Sequence, residues 1–219
     1  MNTLIKFGSF LGALSFAVLV AIGIHQKVEV NYINSHQPPT LTQLQENVVQ
    51  FETDGGAVCS GWISAKDGKI HTAAHCFDFH PGEHEVVVYF SDKTIELWKT
   101  DWVSTVDADK EDFATLIPKT DTSHVVSGLK VCTFKPYYGE FIAIMGAPYG
   151  VMDSMSFGYI QKPDNDGVII LDAKILPGNS GGAVIDTEEG CVLGQAEAIF
   201  NPQGFGETPY GINIATPVK

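Results

Sequence analysis

The sequence predicts an all-β fold, a sandwich or barrels. Three observations predict it. Short runs rich in β-branched and aromatic residues recur at roughly regular spacing, turn residues punctuate them, and helical periodicity is nearly missing. In chain order the runs cover residues 57–65, 69–74, 86–90, 94–98, 113–117, 141–145, 155–161, 168–173 and 191–199. Asp67-Gly68 separates the first two runs, and Asp166-Gly167 separates residues 158–162 from 168–172; both are hairpin-turn dipeptides with apolar flanks. Periodicity alone does not separate a sandwich from barrels.

Hydrophobic residues make up 44% of the 219, enough to bury the core of one domain that folds by itself. The 26 acidic residues outweigh 13 basic ones, all of them lysine, for a net charge of −13. That balance excludes a nucleic-acid partner, because phosphates are bound by clustered Lys and Arg.

Residues 7–24, FGSFLGALSFAVLVAIGI, form an uncharged apolar run with Lys6 before it. It reads as a membrane anchor or a signal peptide. The lack of a clean Ala-x-Ala site near Gly23 favours the uncleaved anchor, and Lys6 with the amino terminus on the cytoplasmic side places the rest of the chain outside. Residues 25–40 are polar, contain Pro38-Pro39 and show no alternation, as expected of a linker; the domain is expected over 41–219. Four cysteines, Cys59, Cys76, Cys132 and Cys191, all follow the apolar run. An even count in an exported domain suggests two disulfides, with three connectivities open.

Acyl transfer by serine needs a base, a carboxylate to orient that base, and backbone donors for the oxyanion. In Pro177-Gly178-Asn179-Ser180-Gly181-Gly182, a serine stands among three glycines that let the chain turn tightly and expose both the hydroxyl and neighbouring amides. Ser180 is therefore the candidate nucleophile, with the amides of the Gly178, Asn179 and Ser180 turn as oxyanion donors. Taken by itself, the loop also reads as a surface turn. His75, in Thr72-Ala73-Ala74-His75-Cys76, ends an apolar strand among small residues that leave room for an imidazole base, and Cys76 can bond back to Cys59. Four acids crowd residues 107–112; Asp112 is the candidate orienter because the apolar run 113–117 follows it and would anchor it at the mouth of a buried strand.

Two metal readings fail. A calcium loop starting at Asp107 would need glycine where Asp112 stands and glutamate where Pro118 stands. A zinc site on His71, His75 and the nearby cysteines would need a helix to align the two rings. No metal or cofactor is expected.

These segments resemble the trypsin-like (chymotrypsin-fold) serine peptidases, above all their HtrA-type branch. TAAHC at 72–76 looks like the histidine motif, DFATL at 112–116 the aspartate motif, and DAKILPGNSGGAV at 172–184 the serine motif. AIMGAPYGVMDSMSFGYI at 143–160 looks like the preceding strand pair, and GCVLGQAEAIFNP at 190–202 and YGINIATP at 210–217 are similar to the final strands. The likeness covers residues 46–217, and the order His, Asp, Ser is that of the chymotrypsin fold. The resemblance implies two packed six-stranded antiparallel barrels with His75, Asp112 and Ser180 between them. It pairs Cys59 with Cys76, which leaves Cys132 with Cys191. Lys174 resembles the residue at the base of the primary specificity pocket, with Glu197 and Ile199 as further lining, and implies preference for an acidic residue before the scissile bond. Alternatively, Lys174 pairs with Asp172 or Glu197 as a surface ion pair.

Two departures matter. Asn179 replaces the aspartate that binds a new amino terminus in trypsins, so activation of that kind is not expected. No peptide-binding PDZ domain is expected either, as the chain stops at Lys219. The function expected is a serine endopeptidase acting outside the cytoplasm on proteins or peptides; the alternatives are a catalytically silent binding module and an esterase.

Overall fold

Strand pairing resolves the choice between sandwich and barrels. The computed structural model describes residues 39–105, 112–120, 127–163, 168–200 and 212–218. Strands β1 (Val48–Thr53), β2 (Val58–Ile63), β3 (Ile70–Thr72), β4 (Glu85–Tyr89), β5 (Ile95–Val103) and β6 (Ala114–Pro118) close in the order β1-β2-β3-β6-β5-β4. Strands β7 (Phe141–Gly146), β8 (Ser154–Lys162), β9 (Ile169–Leu171), β10 (Ala183–Asp186), β11 (Cys191–Phe200) and β12 (Ile212–Pro217) close in the order β10-β11-β12-β9-β8-β7. Neighbouring strands run antiparallel, and closure leaves neither sheet with an open edge. The fold is the chymotrypsin-like pair of six-stranded barrels.

Each barrel has its own core. Phe51, Ile70, Val88, Trp98 and Leu116 fill the first, and Ile142, Ile144, Ile160, Ile169 and Leu193 the second. A third cluster joins them: Val48 and Trp62 from the first barrel meet Met145, Ala183, Ile185 and Val192 from the second. Burial of this seam fixes the two barrels against each other, and with them any site built from both.

Three strands escaped the periodicity, β1, β10 and β12, of which the family resemblance supplied β12. β10 is buried at all four positions, so it has no alternation to detect. β1 follows directly on a single helical turn, α1 (Leu41–Gln45), whose Thr40 and Gln43 form a reciprocal capping box; five residues are too few to show helical periodicity. The strand expected over 69–74 ends earlier, at Thr72, and Ala74–Phe77 forms a 3₁₀ turn. The His75 amide is bonded to the Asp112 carboxylate and is thereby withdrawn from any strand ladder.

The Asp67-Gly68 turn forms as expected. Gly68 has φ +70°, and Ser64 and Lys69 close the loop with an amide-to-carbonyl bond of 2.9 Å. Asp166-Gly167 lies outside the described residues, although the flanking strands pair with Ile160 opposite Leu171. Both disulfides are Cys59–Cys76 and Cys132–Cys191, the second of which ties the segment entering the second barrel to β11. The apolar run 7–24 and residues 25–38 lie outside the described residues, and among those described no helix is long and apolar enough to cross a membrane.

Glu140, just before β7, is 1% exposed. One of its oxygens accepts the Tyr137 amide at 2.9 Å and the other has no hydrogen-bond partner. Burial first, and then the adjacent Asp186 and Glu188 carboxylates, push its carboxyl from 4.5 up to about 7, against the opposing pull of the Tyr137 amide. Between the two values the native chain holds a proton that the unfolded chain has lost, so the folded state loses stability as the pH rises. The effect of the carboxyl on stability is therefore nil below the unfolded value, grows more unfavourable from pH 4.5 to about 7, and levels off above. Glu140→Gln should melt higher than the parent at pH 8, by about 1 to 3 kcal/mol, and the gap should close by pH 4.5. Thermal melts of both proteins across this range check it.

Candidate active site

The 3₁₀ turn after β3 presents His75, and the residue two before β6 is Asp112. Pairing of Thr72 with Ala114 brings these two chain segments side by side. The His75 Nδ1 and Asp112 Oδ2 atoms are 2.5 Å apart, while Asp112 Oδ1 accepts the His75 backbone N–H at 2.9 Å. Asp112 is 3% exposed, and its own carbonyl accepts from Gln195 Nε2 at 2.5 Å. Both carboxylate oxygens are thus committed to one residue, which fixes the ring with Nδ1 toward the acid and Nε2 free to face a substrate. The Cys59–Cys76 disulfide ties the turn to β2 beside it.

His71, four residues earlier, is different. It stands opposite Trp62 and Thr115 in the sheet, with its ring 4.6 Å from that of Trp62 and 5.3 Å from that of Phe113. Burial holds its pKa below the ordinary histidine value despite nearby Asp67.

The serine loop joins β9 to β10 in the second barrel. Gly178 and Gly181 have φ of +98° and +81°, a region that L side chains avoid. A Cβ on Gly178 would lie 2.5 Å from the Ala147 carbonyl oxygen, and one on Gly181 would strike Thr72 Oγ1 and the Ser60 carbonyl. The glycines around Ser180 are required by close backbone approach, and Gly181 is where the loop touches the first barrel.

Carbonyl directions in this loop decide where its amides point. Pro177 O accepts from the Tyr149 amide at 2.6 Å, and Gly178 O accepts from Ser60 Oγ at 2.6 Å. The Asn179 amide donates to Leu176 O at 2.9 Å, so it is spent within the turn. The Gly178 and Ser180 amides take part in no described hydrogen bond. Of the three amides in this turn, those of Gly178 and Ser180 are the ones without a described partner, and that of Asn179 closes the bend between them.

Ser180 Oγ donates to the Glu197 carbonyl at 3.1 Å, and no hydrogen bond joins it to His75. Catalytic hydrogen bonds of this kind often tighten only when substrate is present.

The expected specificity residues are less converged. Glu197 is buried in β11 and reaches Ser180 through its backbone. Lys174 is exposed, gives its amide to Ser156 Oγ at 2.8 Å and makes no ion pair among the described residues. Asp172, the partner suggested for it, instead accepts from Tyr159 N and Gln161 Nε2. Lys174 lines a hollow of about 220 Å³ with Pro148, Ser156, Leu176 and Asn179. Ile199 belongs to β11, but its side chain is outside the described set.

One residue of the site was not foreseen. Ser60, on β2, bonds the serine loop twice, its hydroxyl to Gly178 O and its amide to Ser180 O, while its carbonyl accepts from Thr72 Oγ1 at the base of the His75 turn. The only sequence signal was its place between Cys59 and Gly61, where a small residue next to a cysteine looks like any packed strand position.

Residues 59–194, well over half of the chain, match the family described as the trypsin-like peptidase domain. Among solved structures, the chain is similar to a serine endoprotease from Yersinia pestis, with a TM-score of 0.66 at 24% identity. The alignment covers 82% of this chain and 63% of that one, and likeness at such identity bears on the fold. No curated protein matches by sequence.

Proposed function

Because the chain belongs to the trypsin-like peptidase family, we propose that it is a serine endopeptidase in which His75 is the general base, Asp112 its orienter and Ser180 the nucleophile. The observation that carries the reading is the double bond of Asp112 to His75, through Nδ1 and the backbone amide. With Nδ1–H donated to the carboxylate, Nε2 holds the lone pair that removes the Ser180 proton. Ser180 Oγ then bonds to the substrate carbonyl carbon, and the oxygen takes the negative charge facing the Gly178 and Ser180 amides. The imidazolium passes its proton to the leaving amine, and the C–N bond breaks. Water, deprotonated by the same ring, hydrolyses the acyl-enzyme and restores the Ser180 hydroxyl.

Two disulfides in one domain support action in an oxidising compartment outside the cytoplasm, and the apolar run 7–24 supports a membrane tether there. Lys174 supports an acidic preference, since an exposed ammonium without an ion partner among the described residues is available to a substrate carboxylate. Lys174→Ala should lower kcat/KM for peptides with an acid before the cut by about tenfold, the worth of one ~1.4 kcal/mol contact. A small apolar preference in the parent that Lys174→Ala leaves unchanged removes Lys174 from specificity.

The Ser180 bond to Glu197 favours a second reading, a silent module that binds peptides in the same cleft. Cleavage of casein and of short acyl esters by the full chain decides. Casein cleavage absent in Ser180→Ala supports the peptidase, ester hydrolysis alone the esterase, and neither the silent module.

A further inference from the structure

We propose that Ser60 is a positioning residue that holds the oxyanion donors in place from the opposite barrel, an inference that rests on the peptidase reading above. Ser60 is fully buried on β2. Its hydroxyl donates to Gly178 O at 2.6 Å and accepts the Ala147 amide at 2.8 Å. Its backbone amide donates to Ser180 O at 2.8 Å, and its carbonyl accepts Thr72 Oγ1 at 2.7 Å. All four polar functions of the residue are used, three of them on the second barrel.

The placement of these bonds matters more than their number. The two free amides belong to the peptide units 177–178 and 179–180. Between them lies the unit 178–179, whose carbonyl is the one that the Ser60 hydroxyl holds; beyond them lies the unit 180–181, whose carbonyl the Ser60 amide holds. Glycine at 178 offers little torsional resistance of its own, being as free at φ +98° as elsewhere. The orientation of the 178–179 unit is therefore left to its two hydrogen bonds, the Ser60 hydroxyl on its carbonyl and Leu176 O on its Asn179 amide, and through them so is the direction of the Gly178 amide. The same hydroxyl anchors Ala147, whose carbonyl lies against Gly178 and whose loop supplies the Tyr149 amide that holds Pro177 O. One buried hydroxyl thus ties together the two loops that flank the donor pair, and donors held before the reaction need no reorganisation when charge develops.

A core serine that only satisfies its own polarity would change stability when removed. A positioning serine changes the stabilisation of the transition state. Ser60→Ala and Ser60→Gly each remove the hydroxyl and leave the backbone bond to Ser180 O possible. Each should lower kcat by about 10- to 100-fold, less than the ~100- to 1000-fold for losing a direct donor, with KM little changed. Affinity for a peptide boronate, which forms a tetrahedral adduct, should fall by the same factor as kcat/KM, while affinity for a product peptide stays as in the parent. The assays are read below the melting midpoint of whichever variant is the more stable, so that one folded variant suffices. Unchanged kcat and boronate affinity in a folded variant overturn the role of Ser60 and leave the peptidase reading intact. A parent enzyme with no Ser180-dependent activity fails that reading first, and the role of Ser60 with it.

Discussion

Ser180→Ala is expected to lower kcat on a protein substrate by about 10⁶-fold, to the residual rate supported by binding and the oxyanion donors. The size follows from what alanine lacks. Without Oγ there is no covalent intermediate, and His75 has no proton to remove, so the base and its orienter lose their purpose together. Folding should be preserved. The only described partner of the hydroxyl is the Glu197 carbonyl, and the loop is held by backbone bonds from Ser60 and to Ala196 that alanine retains. His75→Ala should be as damaging, and the double variant scarcely worse, because members of the set act as a unit. Stopped turnover of a fluorogenic peptide, with circular dichroism to show that the variants fold, checks all three.

Asp112→Asn is expected to cost about 10⁴-fold in kcat with the fold intact. Asp112 accepts twice, from His75 N–H and from Nδ1–H. An asparagine has one accepting oxygen. If that oxygen keeps the backbone amide, the NH₂ group faces Nδ1 and the ring must carry its proton on Nε2 instead, where it can no longer accept the serine proton. The loss is therefore one of tautomer and charge rather than of packing. Raising the pH should not restore it, since the neutral ring is held in the wrong form. With Asp112 as the orienter, Asp109→Asn should leave kcat within about twofold of the parent. The reverse pattern would assign the orienting carboxylate to Asp109.

Legibility of this fold in its sequence varies with how local the cause is. Alternating or wholly apolar runs marked most strands of both barrels, because burial on one or both sheet faces leaves a pattern within a few residues. β10 was hidden by its position in the seam between barrels, where Ala183 and Ile185 face one core and Val184 another. The tight loop around Ser180 was legible because its close approach to Ala147, Thr72 and Ser60 excludes side chains at Gly178 and Gly181, and that exclusion is written as glycine. The burial of Asp112 was legible because a buried strand follows it. Ser60 left no such mark. Its hydroxyl partners are 118 and 87 residues away in sequence, and serine in a buried strand has many explanations. The bond of the Asn179 amide to Leu176 O was illegible for a related reason: only the closed turn reveals it. The family resemblance supplied what periodicity could not, the closure into barrels and the pairing of cysteines.

The most direct test of the peptidase reading is the rate at which a fluorophosphonate probe labels the full chain. An activated serine is phosphonylated on Oγ with loss of fluoride, its proton being taken by His75 and the oxyanion-like phosphoryl oxygen facing Gly178 and Ser180. One adduct per chain is expected, located on Ser180 by mass spectrometry of the digested protein, with labelling lost in Ser180→Ala and strongly slowed in His75→Ala. A parent protein that labels no faster than Ser180→Ala would contradict the catalytic reading and leave a peptidase fold that only binds.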